Sequence, residues 1–136
     1  MMLCFRENHC QTEETRLRVL VVEDDGTATD WLRKLLEAQG FAVQTADCYK
    51  AALQAATEWM PDMLVSDIRL PDKSGLDVIH SLRSAYPNLK AIAVSGCSKP
   101  DDDPTILAAG VSAYLPKPLD AERLGNLIRH LLANER

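Results

Sequence analysis

The sequence predicts an α/β protein in which a five-stranded parallel sheet carries helices on both faces. Short apolar runs rich in β-branched residues recur five times along the chain. Most of these runs lack the alternation of polar and apolar residues that marks a half-exposed strand, so they indicate strands buried on both faces. A segment with helical spacing of apolar residues follows each run. Right-handed crossovers between such strands give a doubly wound sheet.

Length and composition fit one ordinary globular domain. The chain has 136 residues, of which 46% are apolar and 26% charged. A chain of this length can form a hydrophobic core without disulfides or a structural metal. The formal net charge is −5 and no run of Lys and Arg occurs, which argues against direct binding of nucleic acid. Charged residues come too early for a signal peptide, and no apolar stretch approaches the roughly 20 residues of a membrane span. We therefore expect a soluble, cytoplasmic protein without membrane contact.

The order of the predicted elements defines the domain. Residues 1–16 are polar and without periodicity, so we predict a flexible N-terminal arm followed by one domain at residues 17–136. Strands are predicted at residues 17–22, 41–46, 63–67, 91–95 and 111–115. Helices are predicted from about residue 27 to Gly40, at 48–59, at 76–86, near 105–109, and from Asp120 onward as the N-cap.

Several helices have a recognisable inward face. Leu32, Leu35 and Leu36 have the spacing of one helical stripe, and alanines dominate the next helix. Trp31 and Trp59 are expected to pack or to lie at the surface, since nothing indicates a cofactor around them. The fourth loop carries two prolines within residues 97–104, which predicts a late or shortened helix there.

Polar side chains stand where four of the five strands end. Glu23 and Asp24 follow the first strand, Asp67 ends the third, Ser95 ends the fourth, and Lys117 comes soon after the fifth. In an open parallel sheet, ligands bind outside the carboxyl ends of the strands, near the point where strand order reverses. The sequence therefore predicts that these five side chains form a site.

The charges of this predicted site require a partner. Two unit charges 4 Å apart repel by about 4 kcal/mol at an effective dielectric of 20, so three converging carboxylates need a cation or a proton. Carboxylate and carbonyl oxygens suit a hard ion, Mg²⁺ first and Mn²⁺ second. Lys117 supplies one positive charge, which is too little to neutralise the cluster.

The same set of groups suits phosphoryl transfer. That chemistry depends on positioning and on neutralising charge, and a carboxylate such as Asp67 can be the nucleophile that becomes an aspartyl phosphate. Mg²⁺ and the Lys117 ammonium would hold phosphoryl oxygens, and the Ser95 hydroxyl would donate a hydrogen bond to another.

Four motifs resemble one protein family. They are residues 19–25 (VLVVEDD), 64–75 (LVSDIRLPDKSG), 93–96 (AVSG) and 114–118 (YLPKP). In this order and on these predicted elements, they resemble the receiver domain of two-component response regulators over about residues 17–134. The resemblance implies a flavodoxin-like fold.

The resemblance assigns a role to each metal-site residue. Asp67 would be the phosphoacceptor and a metal ligand, and Asp24 a direct Mg²⁺ ligand. Glu23 would help to bind the metal through water, and the backbone carbonyl of Arg69 would be a further ligand. Asp25, which follows the two matching acids, is interpreted instead as a surface or helix-entry residue.

The resemblance also implies a switch. Lys117 would contact the Asp67 carboxylate and then the phosphoryl group, which makes Asp67, Lys117 and Ser95 the reactive set. Ser95 would be the switch hydroxyl, and Tyr114 would turn inward when Ser95 is drawn to the phosphate.

Signalling is the function that this resemblance implies. A histidine kinase or histidine phosphotransfer protein would donate the phosphoryl group, and a downstream protein partner or a fused effector domain would read it. A phosphorylation-dependent homodimer is compatible with this. The chain would be no enzyme beyond its own phosphorylation and dephosphorylation.

Two alternatives compete with this interpretation. One is a Mg²⁺-dependent phosphohydrolase with an aspartyl nucleophile, but Arg69 stands where such enzymes usually place a second acid. The other is a degenerate receiver that serves only as an interaction module, which the full set of acids, Ser95 and Lys117 disfavours.

Overall fold

The strands and helices of the computed structural model follow the predicted order. The model describes residues 16–95, 110–117 and 119–133. The strands are β1 (Arg18–Val22), β2 (Ala42–Ala46), β3 (Met63–Asp67), β4 (Lys90–Ser95) and β5 (Ala113–Pro116), and the described helices are α1 (Gly26–Ala38), α2 (Tyr49–Trp59), α3 (Gly75–Ala85) and α4 (Ala121–Ala133). The predicted bounds are close, although β5 begins two residues later than expected. No helix among the described residues has the length and apolar composition that a bilayer crossing requires.

Some predictions fall outside the described residues. These are the first fifteen residues of the proposed arm, the proline-containing loop at 97–104 and the short helix near 105–109.

All five strands pair in parallel, in the order β2-β1-β3-β4-β5. Val22 at the end of β1 lies opposite Ala46 of β2 on one side and Ser66 of β3 on the other. Asp67 at the end of β3 lies opposite Val94 of β4. The chain leaves β1 in one direction to form β2 and returns in the other to form β3. The strand order therefore reverses beside β1, where an open sheet has its ligand crevice.

Alternate residues of each strand face two separate apolar layers. Leu20 and Val22 of β1 face the layer that contains α2 and α3, whereas Val19 and Val21 face the layer that contains α1 and α4. The largest buried side chains in the two layers, Leu64, Ile79, Leu36, Met63, Ile92, Leu124 and Ile128, are almost fully excluded from water. Burial on both faces explains why the strand sequences are continuous apolar runs.

Two acids close to their own helices in sequence, Asp25 and Asp120, cap α1 and α4 at the carboxyl edge of the sheet. Asp25 is the N-cap of α1, and its Oδ1 accepts hydrogen bonds from the N–H groups of Thr27 (3.0 Å) and Ala28 (3.2 Å). Asp120 Oδ1 accepts from the N–H of Glu122 at 3.0 Å before α4. The interpretation of Asp25 as a helix-entry residue and of Asp120 as a cap is confirmed.

The α1 stripe is narrower than its sequence indicates. Leu32 and Leu36 are buried, but Leu35 is 36% exposed and its neighbour on the helix surface, Trp31, is 51% exposed. The prediction that Leu35 faces inward is wrong, because Leu32 and Leu36 are the residues that face the sheet and Leu35 lies on their flank. Trp59, in contrast, is buried at the end of α2.

Gly75 allows α3 to begin against the end of β3. Its N–H donates to the Ile68 carbonyl at 2.7 Å, and a Cβ built at this position would overlap the carbonyl oxygen of Asp67. The first turn of α3 therefore approaches the backbone of Asp67 more closely than any side chain at residue 75 would permit.

We predict that Gly75→Ala lowers the free energy of unfolding by about 1–3 kcal/mol, because the methyl group must push α3 away from β3. Gly26→Ala is the matched control, since an added Cβ there meets no atom within 4 Å outside its chain neighbours and the backbone of its own helix. Urea unfolding followed by circular dichroism measures both. Equal stability of the two variants would contradict the close contact at Gly75.

Candidate functional site

Three carboxylates meet at the carboxyl edge of the sheet. Glu23 and Asp24 follow β1, and Asp67 ends β3, the strand that pairs with β1. One oxygen from each of the three lies within 4.8 Å of the others. Adjacent parallel strands that end at the same level therefore bring together acids that are about 43 residues apart in sequence.

Lys117 bridges two of these carboxylates. Its Nζ lies 2.8 Å from Glu23 Oε2 and 2.8 Å from Asp67 Oδ2. The Lys117 N–H donates to the Ser95 carbonyl at 2.9 Å, so the backbone just after β5 is fixed to the end of β4. The ammonium therefore enters the cluster from the end of β5, which lies two strands from β3.

Both oxygens of Asp67 accept hydrogen bonds. Oδ2 accepts from Lys117, and Oδ1 accepts from the N–H of Arg69 at 3.2 Å. The Asp67 side chain is only 8% exposed. A carboxylate this buried needs such partners, because leaving water without them would cost several kcal/mol. The backbone of Arg69 is therefore part of the site, while its side chain is exposed.

Burial and charge act on Glu23. Partial burial raises the pKa of its carboxyl above the ordinary value, and the neighbouring Asp67 raises it further, although the bond from Lys117 lowers it. The net rise means that the ionised form of Glu23 is less stable here than in water.

The site favours the charged form of Lys117, whereas it disfavours the charged form of Glu23. Burial alone would lower the pKa of its ammonium, but the carboxylates of Asp67 and Glu23 together raise that pKa above the ordinary value. The ammonium is therefore held in its charged form by the two acids that it contacts.

The site carries excess negative charge. Three ionised carboxylates contribute −3 and Lys117 contributes +1, which leaves a formal charge of −2. The side-chain donors in this cluster are oxygen atoms, and such a set fits Mg²⁺ or Mn²⁺ better than a softer metal. A hard divalent cation would neutralise the remaining charge.

Ser95 lies on β4, the strand next to that of Asp67, and Tyr114 lies on β5, one strand further along the sheet. Ser95 ends β4 and is 5% exposed, and Tyr114 on β5 is half-buried beside Ala93 of β4. Alternation along β4 puts Ser95 on the same side of the sheet as Ala93. Tyr114 packs against the apolar layer on that side, the layer of α2 and α3. The hydroxyl at the strand end and the aromatic ring thus share one side.

A cavity that the sequence did not predict opens beside the carboxylates. Its volume is about 510 Å³, and its lining includes the small side chains of Ala28 and Thr29 together with Trp31 and Leu119. Glu23, Asp67 and Lys117 belong to the same lining. The small residues Ala28 and Thr29, in the first turn after Glu23 and Asp24, are the sequence feature that could have indicated this cavity.

Comparison with a protein-family model identifies the motif set. Residues 19–129 match the model of the response regulator receiver domain, which covers most of the chain. This stretch includes every residue named above for the site.

Curated relatives agree with this match. The chain is 34% identical over 116 residues to the response regulator MprA of Mycobacterium leprae, covering 85% of this chain and 51% of that protein. It is 32% identical over 108 residues to the cell cycle transcriptional regulator CtrA of Caulobacter vibrioides, covering 79% of this chain and 47% of that protein. The chain thus spans about half the length of these relatives.

Solved structures have the same fold. A CheY-like receiver domain protein from Methanospirillum hungatei superposes with a TM-score of 0.83 at 28% identity, covering 88% of this chain and 96% of the other. A CheY-like receiver domain from Methylobacillus flagellatus gives a TM-score of 0.77 at 30% identity, covering 85% and 98%. The predicted resemblance and fold class are confirmed: this chain belongs to the response regulator receiver domain family of two-component signalling.

Proposed function

We propose that Asp67 accepts a phosphoryl group with the help of Mg²⁺, and that a histidine kinase or histidine phosphotransfer protein is the donor. The observation that carries this proposal is the Asp67 carboxylate itself, held by Lys117 at 2.8 Å within 4.8 Å of two further acids. A buried carboxylate with a fixed ammonium and a site for a cation has what an aspartyl nucleophile requires.

The reaction transfers the phosphoryl group from one labile linkage to another, from the phosphohistidine of the donor to an acyl phosphate on Asp67. An oxygen of Asp67 forms a bond to phosphorus while the bond from phosphorus to the donor's imidazole nitrogen breaks, and the electron pair returns to the imidazole ring. Lys117 then keeps its contact with the site by binding an oxygen of the transferred group.

The metal would be held by this chain's oxygen atoms. Asp24 and Asp67 would be direct ligands, Glu23 would act through water, and the carbonyl of Arg69 would complete the protein's share. Mg²⁺ would supply positive charge at the phosphoryl oxygens, with Mn²⁺ as the second choice. The Arg69 N–H bond to Asp67 at 3.2 Å keeps this backbone segment beside the nucleophile.

The switch would operate on the β4–β5 side of the sheet. We infer that the Ser95 hydroxyl moves to the phosphoryl group and that Tyr114 turns inward behind it, which shifts a pre-existing equilibrium between two conformations. The common side of the sheet that these residues share supports this coupling. A downstream partner, an effector domain in the same protein or a second copy of the chain would read the change.

Signalling is favoured over phosphohydrolase activity. Arg69, two residues after Asp67, is no general acid, and its backbone rather than its side chain contacts the nucleophile. The chemistry of this chain would then be limited to gaining and losing its own phosphoryl group.

We predict that acetyl phosphate with Mg²⁺ adds one phosphoryl group to the wild-type protein and none to Asp67→Asn, because the amide is no nucleophile. Intact-protein mass spectrometry measures the addition. Asp30→Asn, which changes an exposed acid on α1, is the control and should be modified like the wild type. Modification of Asp67→Asn to the same extent would refute the assignment of Asp67.

We predict that Asp24→Asn raises the free energy of unfolding of the metal-free protein by up to about 1 kcal/mol. This limit is the repulsion between two unit charges 4 Å apart in water, about 1 kcal/mol. Lys117 already pairs with the other two acids, so removal of Asp24 relieves repulsion. The same variant should lose most of the stabilisation by Mg²⁺. Urea unfolding with EDTA and with Mg²⁺ measures both effects.

Asp25→Asn is the matched control for Asp24→Asn. It removes one charge from the adjacent residue, and Asn remains a good cap for α1. The control should therefore keep the response to Mg²⁺. If both variants respond to Mg²⁺ like the wild type, Asp24 is no metal ligand.

We predict a pH dependence for the Lys117 bridge. Because the folded protein raises the pKa of Lys117, the stabilisation is complete below the unfolded-state pKa of about 10.4 and is lost as pH rises through the higher folded-state pKa. In EDTA, the wild type should be about 1 kcal/mol more stable than Lys117→Met up to about pH 10, a value kept small by solvent screening. The difference should close above that pH; a constant difference up to pH 12 would contradict the ion pair.

A further inference from the structure

The segment between Asp67 and α3 is a narrow turn. Arg69 and Ser74 form an isolated antiparallel bridge, and the Ser74 hydroxyl donates to the Ile68 carbonyl at 3.3 Å. The Gly75 N–H donates to the same carbonyl at 2.7 Å. These bonds close the turn at its base, so that residues 70–73 form its tip. We call residues 68–74 the β3–α3 turn.

Asp72, at the tip of this turn, binds the first residues of α2. Its Oδ1 accepts from the N–H of Tyr49 at 2.9 Å, and its Oδ2 accepts from the N–H of Lys50 at 3.3 Å. The N–H of Lys73 also donates to Oδ1, at 2.9 Å. These bonds, first that from Tyr49, lower the pKa of the Asp72 carboxyl below its ordinary value. The helix dipole favours a negative charge at this place.

The start of α2 needs this carboxylate. The N-cap of α2 is Cys48, whose Sγ accepts from the Ala51 N–H at 3.5 Å. Sulfur is a weak acceptor, and the first N–H groups of a helix have no partner within the helix. A side chain 23 residues further along the chain therefore supplies the cap that the local sequence lacks.

Tyr49 strengthens the same junction. The Lys73 ammonium lies 4.7 Å from the centre of the Tyr49 ring, and the Tyr49 hydroxyl lies 2.8 Å from Ser81 Oγ on α3. The first residue of α2 thus contacts the tip of the β3–α3 turn through its backbone and its ring, and the helix after the turn through its hydroxyl. The tip is held on both sides.

The opposite end of the turn reaches the nucleophile. The Arg69 N–H donates to Asp67 Oδ1 at 3.2 Å, and Arg69 is also one half of the bridge that closes the turn. Only Leu70 and Pro71 separate Arg69 from Asp72, and the proline ring fixes one of the intervening torsions. The contact of Asp72 with α2 therefore acts on a short, restricted segment that ends at the Arg69 backbone.

We propose that Asp72 is a positioning residue: by holding the tip of the β3–α3 turn on the start of α2, it fixes the Arg69 backbone beside Asp67 and so raises the Mg²⁺ affinity of the site. This inference rests on the proposed function, since it needs a metal bound near Arg69 and Asp67. Asp72 itself contacts neither the metal nor the phosphoryl group.

The first experiment measures Mg²⁺ affinity directly by isothermal titration calorimetry. Asp72→Ala is expected to weaken binding about tenfold, the lower end of what loss of outer support costs a metal site. Asp77→Ala is the control, because it removes an exposed acid from the first turn of α3 and should bind within about twofold of the wild type. Asp72→Asn should recover part of the affinity, since its amide oxygen can still accept from Tyr49.

A second variant separates positioning from simple capping. Cys48→Asp gives α2 a strong local cap, and the double variant Cys48→Asp with Asp72→Ala has the same net charge as the wild type. Its thermal midpoint in EDTA should return to within a few degrees of the wild type, while its Mg²⁺ affinity stays about tenfold weaker. This variant also keeps the test informative if Asp72→Ala alone is poorly folded.

Two results would overturn the inference and can be told apart. If the double variant binds Mg²⁺ as tightly as the wild type, Asp72 is only a helix cap, and the proposed function is untouched. If the wild type shows no saturable Mg²⁺ binding, the proposed metal site fails and the role of Asp72 fails with it.

Discussion

The site depends on one ion-pair arrangement, the Lys117 ammonium between the carboxylates of Asp67 and Glu23. Each N–O distance is 2.8 Å, and the third acid, Asp24, remains within reach of the same point. One positive charge cannot balance three negative ones, so the folded chain holds a local excess of negative charge. Such a cluster opposes folding, and a cation can relieve it. The unfavourable electrostatics are thus what makes this edge of the sheet a candidate site for a cation.

Burial of the strands offsets the repulsion between these carboxylates. Both faces of β1, β3 and β4 are covered, and their apolar side chains are almost completely excluded from water. Full burial of one such side chain contributes about 1.5–3 kcal/mol, which is of the same order as the repulsion within the site. The same packing fixes the height at which each strand ends. Because Asp67 belongs to the central strand β3, its backbone is flanked by β1 on one side and β4 on the other.

Two helices are anchored by acids that belong to the turns around the site. Asp25 caps α1 immediately after the pair Glu23 and Asp24, and Asp72 caps α2 from the turn that follows Asp67. The two caps lie in different layers of the fold, one on each face of the sheet. The turns around the site therefore contact the starts of helices on both faces of the sheet. Gly75 also lets the start of α3 lie directly against the Asp67 backbone.

The sequence by itself determined the order of the described strands and helices, the sheet type and the set of acids at the strand ends. Continuous apolar runs specify doubly buried strands, and local caps such as Asp25 and Asp120 act within a few residues of their own position. Tertiary structure alone decided that Leu35 is exposed, that Ala28 and Thr29 line a cavity, and that Asp72 caps a helix that starts 23 residues before it. These features depend on how one crossover packs against the next. Periodicity describes what a residue contacts along its own helix or strand, but contacts between elements arise only when the sheet is assembled.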